Sequence, residues 1–193
     1  MCGRLNVTDD PRVIDLCEGL GIKLNIRPNP DLRPAQIVTT VASHNGQYQQ
    51  LDLQWGIKPS WAKSLLINSQ AETVATKPTF KRAFTEHRCL VPCAGWYEWR
   101  DEGGPRKKKY LFTPANNTFF LMAGIFYPGQ GSEPGQLVTL TTTPNEKCAQ
   151  YHHRMPVLVQ PADMKYWFNS DVDQLEPLLG HLSNDEILVQ PEH

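Results

Sequence analysis

The sequence has no dominant charge. Nineteen basic residues stand against twenty acidic ones, a formal net charge of −1. No global positive field draws the chain to nucleic acid, and any such partner needs a local basic face. No apolar run approaches the length of a membrane span, and the start carries no signal-peptide pattern. These absences predict a cytoplasmic or nucleoid-associated protein with no membrane partner. The five cysteines are odd in number and lack framework spacing, which fits a reducing compartment better than a disulfide scaffold. Neither H-E-x-x-H nor Cys-x-x-Cys occurs. Cys89 and Cys93 would leave the same face of a strand, but tetrahedral zinc needs two further ligands that nothing marks. Cys17 and Cys148 read as apolar helix-face residues. There is no internal repeat, no low-complexity tract and no linker, so residues 1–193 read as one domain.

What is present is a series of short strands and few helices. Asp10-Pro11 predicts a helix start, with Val13, Ile14, Cys17 and Leu20 on one face. Residues 22–36 are proline-rich and read as irregular. "QIVTTVAS" and "QYQQLDLQW" form a hairpin around His44-Asn45-Gly46. "KPTFKRAFTEH" predicts a short helix with Phe80 and Phe84 paired at i, i+4. "RCLVP", "GWYEWR", "KKYLFT", "TFFLMAGIF" and "QLVTLTTT" follow as strands. Thr143-Pro144 opens a short helix through Ala149, "MPVLVQ" is one more strand, and "DMKYWF" is helical. The fold class is α+β: a mostly antiparallel curved sheet or barrel with a few short flanking helices.

Four segments could carry chemistry. Cys2 directly follows Met1; if Met1 is removed, one residue carries both a thiol and an α-amine. The ordinary pKa values, about 8.5 for the thiol and 7.7–8.0 for the amine, make both reactive forms available near neutrality. Glu98, in "GWYEWR", shares a strand face with Trp96 and Arg100. It is either a rim carboxylate paired with Arg100 or a carboxylate among aromatics whose desolvation makes it a general acid. "YHHRMP" puts His152 and His153 at a helix–strand junction, where they point apart if the segment is extended. "LLINSQAET" places Asn68 at a strand end opening into polar sequence. The basic run "RDEGGPRKKKY" reads as a hairpin tip, ordinarily just solvated.

Together these pieces resemble the SRAP family, the SOS-response-associated-peptidase-like proteins that crosslink to abasic sites in single-stranded DNA. The resemblance rests on "MCGR" at 1–4, "QWGIKPSWAK" at 54–63, "INSQAET" at 67–73, "RCLVPCAGWYEW" at 88–99, "FLMAGIF" at 120–126 and "HHRMP" at 152–156, in the family's order. It implies that Cys2 is the crosslinking residue and that the active-site asparagine, glutamate and histidine are Asn68, Glu98 and His152. The amine and thiol of Cys2 would close a thiazolidine on the open-chain aldehyde, while Glu98 moves protons, Asn68 holds the sugar and His152 orients the lesion. Arg4, Gln70 and Arg154 become candidate DNA contacts, with Lys107 to Lys109 beside them, and Trp61 and Trp99 candidate stacking surfaces. No metal or organic cofactor is required, and the acting form is a monomer. Two competitors remain: a thiol peptidase or autopeptidase using Cys2, and a non-catalytic single-strand binder. The chain departs from the family's pattern at Gln70, where an arginine is usual, and at Asp31, where an asparagine is frequent. The family's late strand sequence is not evident.

Overall fold

A computed structural model describes residues 2–116 and 118–192 of the chain. The strands are β1 (Leu5–Val7), β2 (Asn29–Leu32), β3 (Ile37–His44), β4 (Gln47–Trp55), β5 (Asn68–Gln70), β6 (Arg88–Cys93), β7 (Gly95–Arg100), β8 (Lys108–Pro114), β9 (Phe120–Tyr127), β10 (Gln136–Thr142), β11 (Met155–Pro156), β12 (Leu158–Val159) and β13 (Ile187–Pro191). Short helices flank them: α1 (Pro11–Gly19), α2 (Ala71–Val74), α3 (Pro78–Glu86), α4 (Glu146–Ala149) and α5 (Met164–Asn169). The expected class holds: α+β, with mostly antiparallel pairing.

Two sheets share the work. One runs β13-β8-β7-β1-β2. In the other, β10, β4, β3, β6 and β9 pair in sequence and β9 returns to β10, making a ring rather than a true barrel. The ring closes through one parallel pair, β4 with β10, and β5 also joins β10 in parallel. Trp96 of β7 stacks on Phe112 of β8 at 4.8 Å and meets Phe120 of β9 at 5.4 Å, so one indole bridges the two sheets. Gly95 is dictated by packing: a Cβ there would lie 2.2 Å from the Phe112 carbonyl oxygen.

Local chemistry explains most of the boundaries. Asp10 caps α1 by accepting from the Arg12 amide at 2.9 Å, with Pro11 in the first turn. The β3–β4 hairpin turns at Asn45 (φ 50°) and Gly46 (φ 74°), the left-handed pair that matches strand twist. Arg88 is buried and donates to the carbonyls of Phe84 and Trp167 (3.0 and 2.8 Å) and to that of Ser170 (2.8 Å). One guanidinium therefore ties α3 to α5.

Several expectations need correction. Residues 22–36 are not wholly irregular, because β2 pairs with β1. Asn145, not Thr143, caps α4, accepting from the Cys148 amide at 2.8 Å. "MPVLVQ" is not one strand: β11 pairs with β10 and β12 with β9. A last strand does exist, since β13 completes the first sheet against β8.

Candidate functional site

The site lies where the N-terminal segment and β7 of the first sheet meet β5 and β10 of the ring. Cys2 is fully buried, and its thiol lies beside the Glu98 carboxylate. Asn68 donates from Nδ2 to the Cys2 carbonyl oxygen at 3.3 Å. These two links join residues 66 and 96 positions apart from Cys2, the second being 98 − 2. Met1, whose removal bears on the Cys2 amine, lies outside the described residues.

Asn68 is itself held by a residue that sequence reasoning missed. Thr139, fully buried in β10, donates from Oγ1 to Asn68 Oδ1 at 2.5 Å. The direction follows from elimination. The Cys2 carbonyl only accepts, so the Asn68 amide must turn its nitrogen to Cys2 and its oxygen to Thr139. The Ile67 carbonyl, the other acceptor near this hydroxyl, already takes the Trp55 indole and the Thr139 amide, both at 3.1 Å. The available signal was a run of threonines in a strand otherwise written in leucine and valine.

Glu98 is buried on the inner face of β7, directly across from Tyr110 of β8. The rim reading fails, because Arg100 pairs instead with Glu102 at 2.5 Å and lies over the rings of Tyr110 and Tyr151 at 5.1 and 4.6 Å. Burial pushes the Glu98 carboxyl above the usual glutamate range. It also pushes the Cys2 thiol well above its ordinary value, and the Glu98 charge adds to this. Burial thus holds back the thiolate that the ordinary values make available near neutrality.

His152 follows α4, where its amide donates to the Cys148 carbonyl at 3.0 Å. The preceding Tyr151 packs edge-on against Tyr110 at 4.7 Å, the residue opposite Glu98 on β8. The His152 Nδ1 lies 3.0 Å from the Arg154 amide nitrogen and 3.2 Å from the Arg154 carbonyl oxygen, so the Arg154 backbone anchors the ring through that nitrogen. Burial lowers the pKa of His152, favouring the neutral form. The two histidines do not point apart. The segment is not extended, and the rings stack at 4.2 Å and 28°.

The expected DNA contacts divide. Arg4 lies over the Trp99 ring at 5.4 Å and pairs with Asp31 at 2.5 Å. Trp99 is half-buried and, by strand alternation, on the opposite face of β7 from Glu98. Arg154 grips both carboxylate oxygens of Glu72 at 2.8 and 2.7 Å and also donates to the Thr141 carbonyl at 2.6 Å. Gln70 is exposed at the end of β5, and Trp61 is 66% exposed. Lys108 and Lys109 open β8, and Lys107 precedes them on the hairpin. Cys89 and Cys93 are buried, as are Cys17 and Cys148. No group of three or more histidine, cysteine or acidic side chains among the described residues is arranged to hold a metal. No helix among them is long and apolar enough to cross a membrane.

The sequence model of the family described as SOS response associated peptidase (SRAP) matches residues 1–191. The chain belongs to this family. It is 29% identical to the abasic site processing protein YoqW of Bacillus subtilis, over 97% of this chain and 90% of that protein. It is 24% identical to the abasic site processing protein YedK of Escherichia coli, over 91% of this chain and 83% of that one. Among solved structures, a phage-related protein from Bordetella bronchiseptica superimposes with a TM-score of 0.81 at 24% identity, covering 99% of this chain and 94% of that chain.

Proposed function

We propose that this chain processes abasic sites in single-stranded DNA by forming a covalent thiazolidine through Cys2 once Met1 has been removed. The observation that carries the reading is the Cys2 environment: a buried second residue whose thiol meets a carboxylate and whose carbonyl is held by an asparagine. The names of the relatives support the substrate class.

The chemistry closes in two steps. The Cys2 amine adds to the open-chain deoxyribose aldehyde, a C–N bond forms, and water leaves to give an imine. The thiol sulfur then adds to the imine carbon, and the thiol proton ends on nitrogen. Aldehyde plus aminothiol thus becomes a five-membered ring plus water, and the imine that promotes β-elimination is gone. Glu98 is suited to both steps: protonated, it assists departure of the carbinolamine hydroxyl; ionised, it takes the thiol proton. Asn68 orients the Cys2 backbone. A neutral His152, anchored through Nδ1 to the Arg154 backbone, presents its Nε2 to the sugar.

The peptidase reading is less well supported. The relatives YoqW and YedK are named as abasic site processing proteins, and neither name points to a peptide substrate. The test is denaturing electrophoresis after mixing the protein with abasic single-stranded DNA and, separately, with a peptide pool. A slowly migrating protein–DNA species with no peptide cleavage is expected. Cleaved peptides without such a species would overturn the proposal.

A further inference from the structure

The outer face of the first sheet, opposite Glu98, carries a charge cluster with an uneven ratio. Three cations converge on one carboxylate. Arg4 reaches Asp31 Oδ1 at 2.5 Å and Arg33 reaches Oδ2 at 2.7 Å, while the Lys109 ammonium lies 3.9 Å from Oδ1. Asp31 sits on β2, Arg4 immediately before β1 and Lys109 on β8, so three segments of the sheet supply the group. Aromatic surface backs it: Trp99 lies under Arg4, and Tyr97 under Lys109 at 3.8 Å. Tyr97 in turn donates to the Pro30 carbonyl at 2.9 Å, which fixes the backbone next to Asp31. The cluster is open to solvent, with the Arg33 side chain 60% exposed and Asp31 41% exposed. Glu192, whose amide donates to the Lys109 carbonyl at 2.9 Å and whose charge also acts on Tyr97, adds a second anion, so the group's charge is +3 − 2 = +1 on a chain whose total is −1.

A face of forked guanidinium groups and an ammonium over aromatic rings suits phosphates of a single strand. The same donors are occupied by an internal anion. The two arginines, Arg33 first, hold the Asp31 carboxyl down at about 2, so it does not let go of them by protonation anywhere near neutrality. A phosphate approaching this face must compete with it.

We propose that Asp31 is a built-in counter-ion that sets the affinity of this face for the phosphates of single-stranded nucleic acid, holding it below what Arg4, Arg33 and Lys109 would otherwise give. The inference rests on the nucleic-acid part of the proposed function but not on crosslinking. The consequence for a lesion-processing protein is a weak grip on intact strands, leaving retention to the covalent step.

The test uses undamaged fluorescent oligothymidylate, so no crosslink forms and the result is independent of Cys2 chemistry. Binding is measured across a salt series for the wild type, Asp31→Asn and Asp31→Ser. Removing one charge about 4 Å from the binding cations changes affinity by about fivefold in water at low salt. Both variants are expected to bind about that much more tightly. Their log–log salt slopes should steepen by about 0.7 for each additional phosphate neutralised. Unchanged or weaker binding, or an unchanged slope, overturns the proposal. So does loss of the folded state in both variants, which would make the carboxylate a structural strut. A wild type that fails to crosslink abasic DNA while both variants still bind more tightly would sink the thiazolidine reading and leave this one standing.

Discussion

Thr139 has one proton to give, and the amide it serves has only one useful orientation. Thr139→Val removes the donor to Asn68 Oδ1 while preserving side-chain shape. A hydrogen bond of about 1 kcal/mol corresponds to a crosslinking rate about five- to tenfold lower at saturating DNA. Binding affinity should be unchanged, and Thr139→Ser should restore the rate. Single-turnover kinetics at several DNA concentrations separate these terms; a change in affinity alone would make Thr139 a mere packing residue. Glu98 makes a second prediction at this scale. Its carboxyl is raised by burial, so the folded protein binds that proton more tightly than the unfolded chain does. The stability this contributes is present below the ordinary glutamate pKa of about 4.3 and is lost as pH rises through the raised value. Glu98→Gln should therefore melt progressively higher than wild type as pH rises from about 4 toward neutrality, while losing crosslinking. Parallel melting curves across that range would contradict it.

At the scale of elements, strand alternation was legible because it is local. The β3–β4 hairpin, the buried Phe80 and Phe84 of α3, and the β6 to β10 strands all followed from period and turn chemistry. The misses share a cause. Strands β1, β2 and β13 are three to five residues long, exist only through partners far away in the chain and carry no local period. The strand boundary at Asn68 was legible, but the strand runs on from Asn68 to Gln70 rather than ending there. Arg100 was misassigned for a similar reason: alternation named its face but not its partner, and Glu102 on the hairpin was within reach. Gly95 tests the register of the β7–β8 pair that holds Glu98 opposite Tyr110. Gly95→Ala puts a methyl 2.2 Å from the Phe112 carbonyl oxygen, and should cost about 1–3 kcal/mol. Chemical denaturation measures this, and a neutral effect would mean the two strands can separate there without loss.

At the scale of the whole molecule, the fold brings residues 2, 68 and 98 together, a convergence that no single segment announces. Ordered motifs across the sequence named these residues. The burial of the Cys2 thiol beside Glu98, the Thr139 support and the occupation of Arg154 by Glu72 needed three-dimensional packing, since each depends on a neighbour from another element. The central claim is that the amine and the thiol of Cys2 act together. The most direct measurement is adduct yield with abasic single-stranded DNA, with and without borohydride, for wild type, Cys2→Ser and Cys2→Ala, each shown by intact mass to have lost Met1. Wild type should give a stable adduct in both conditions. Cys2→Ser retains the amine and should give one only when borohydride traps the imine, and Cys2→Ala should yield no adduct without the reductant. A stable, reductant-independent adduct from either variant, at the wild-type yield, would contradict the account.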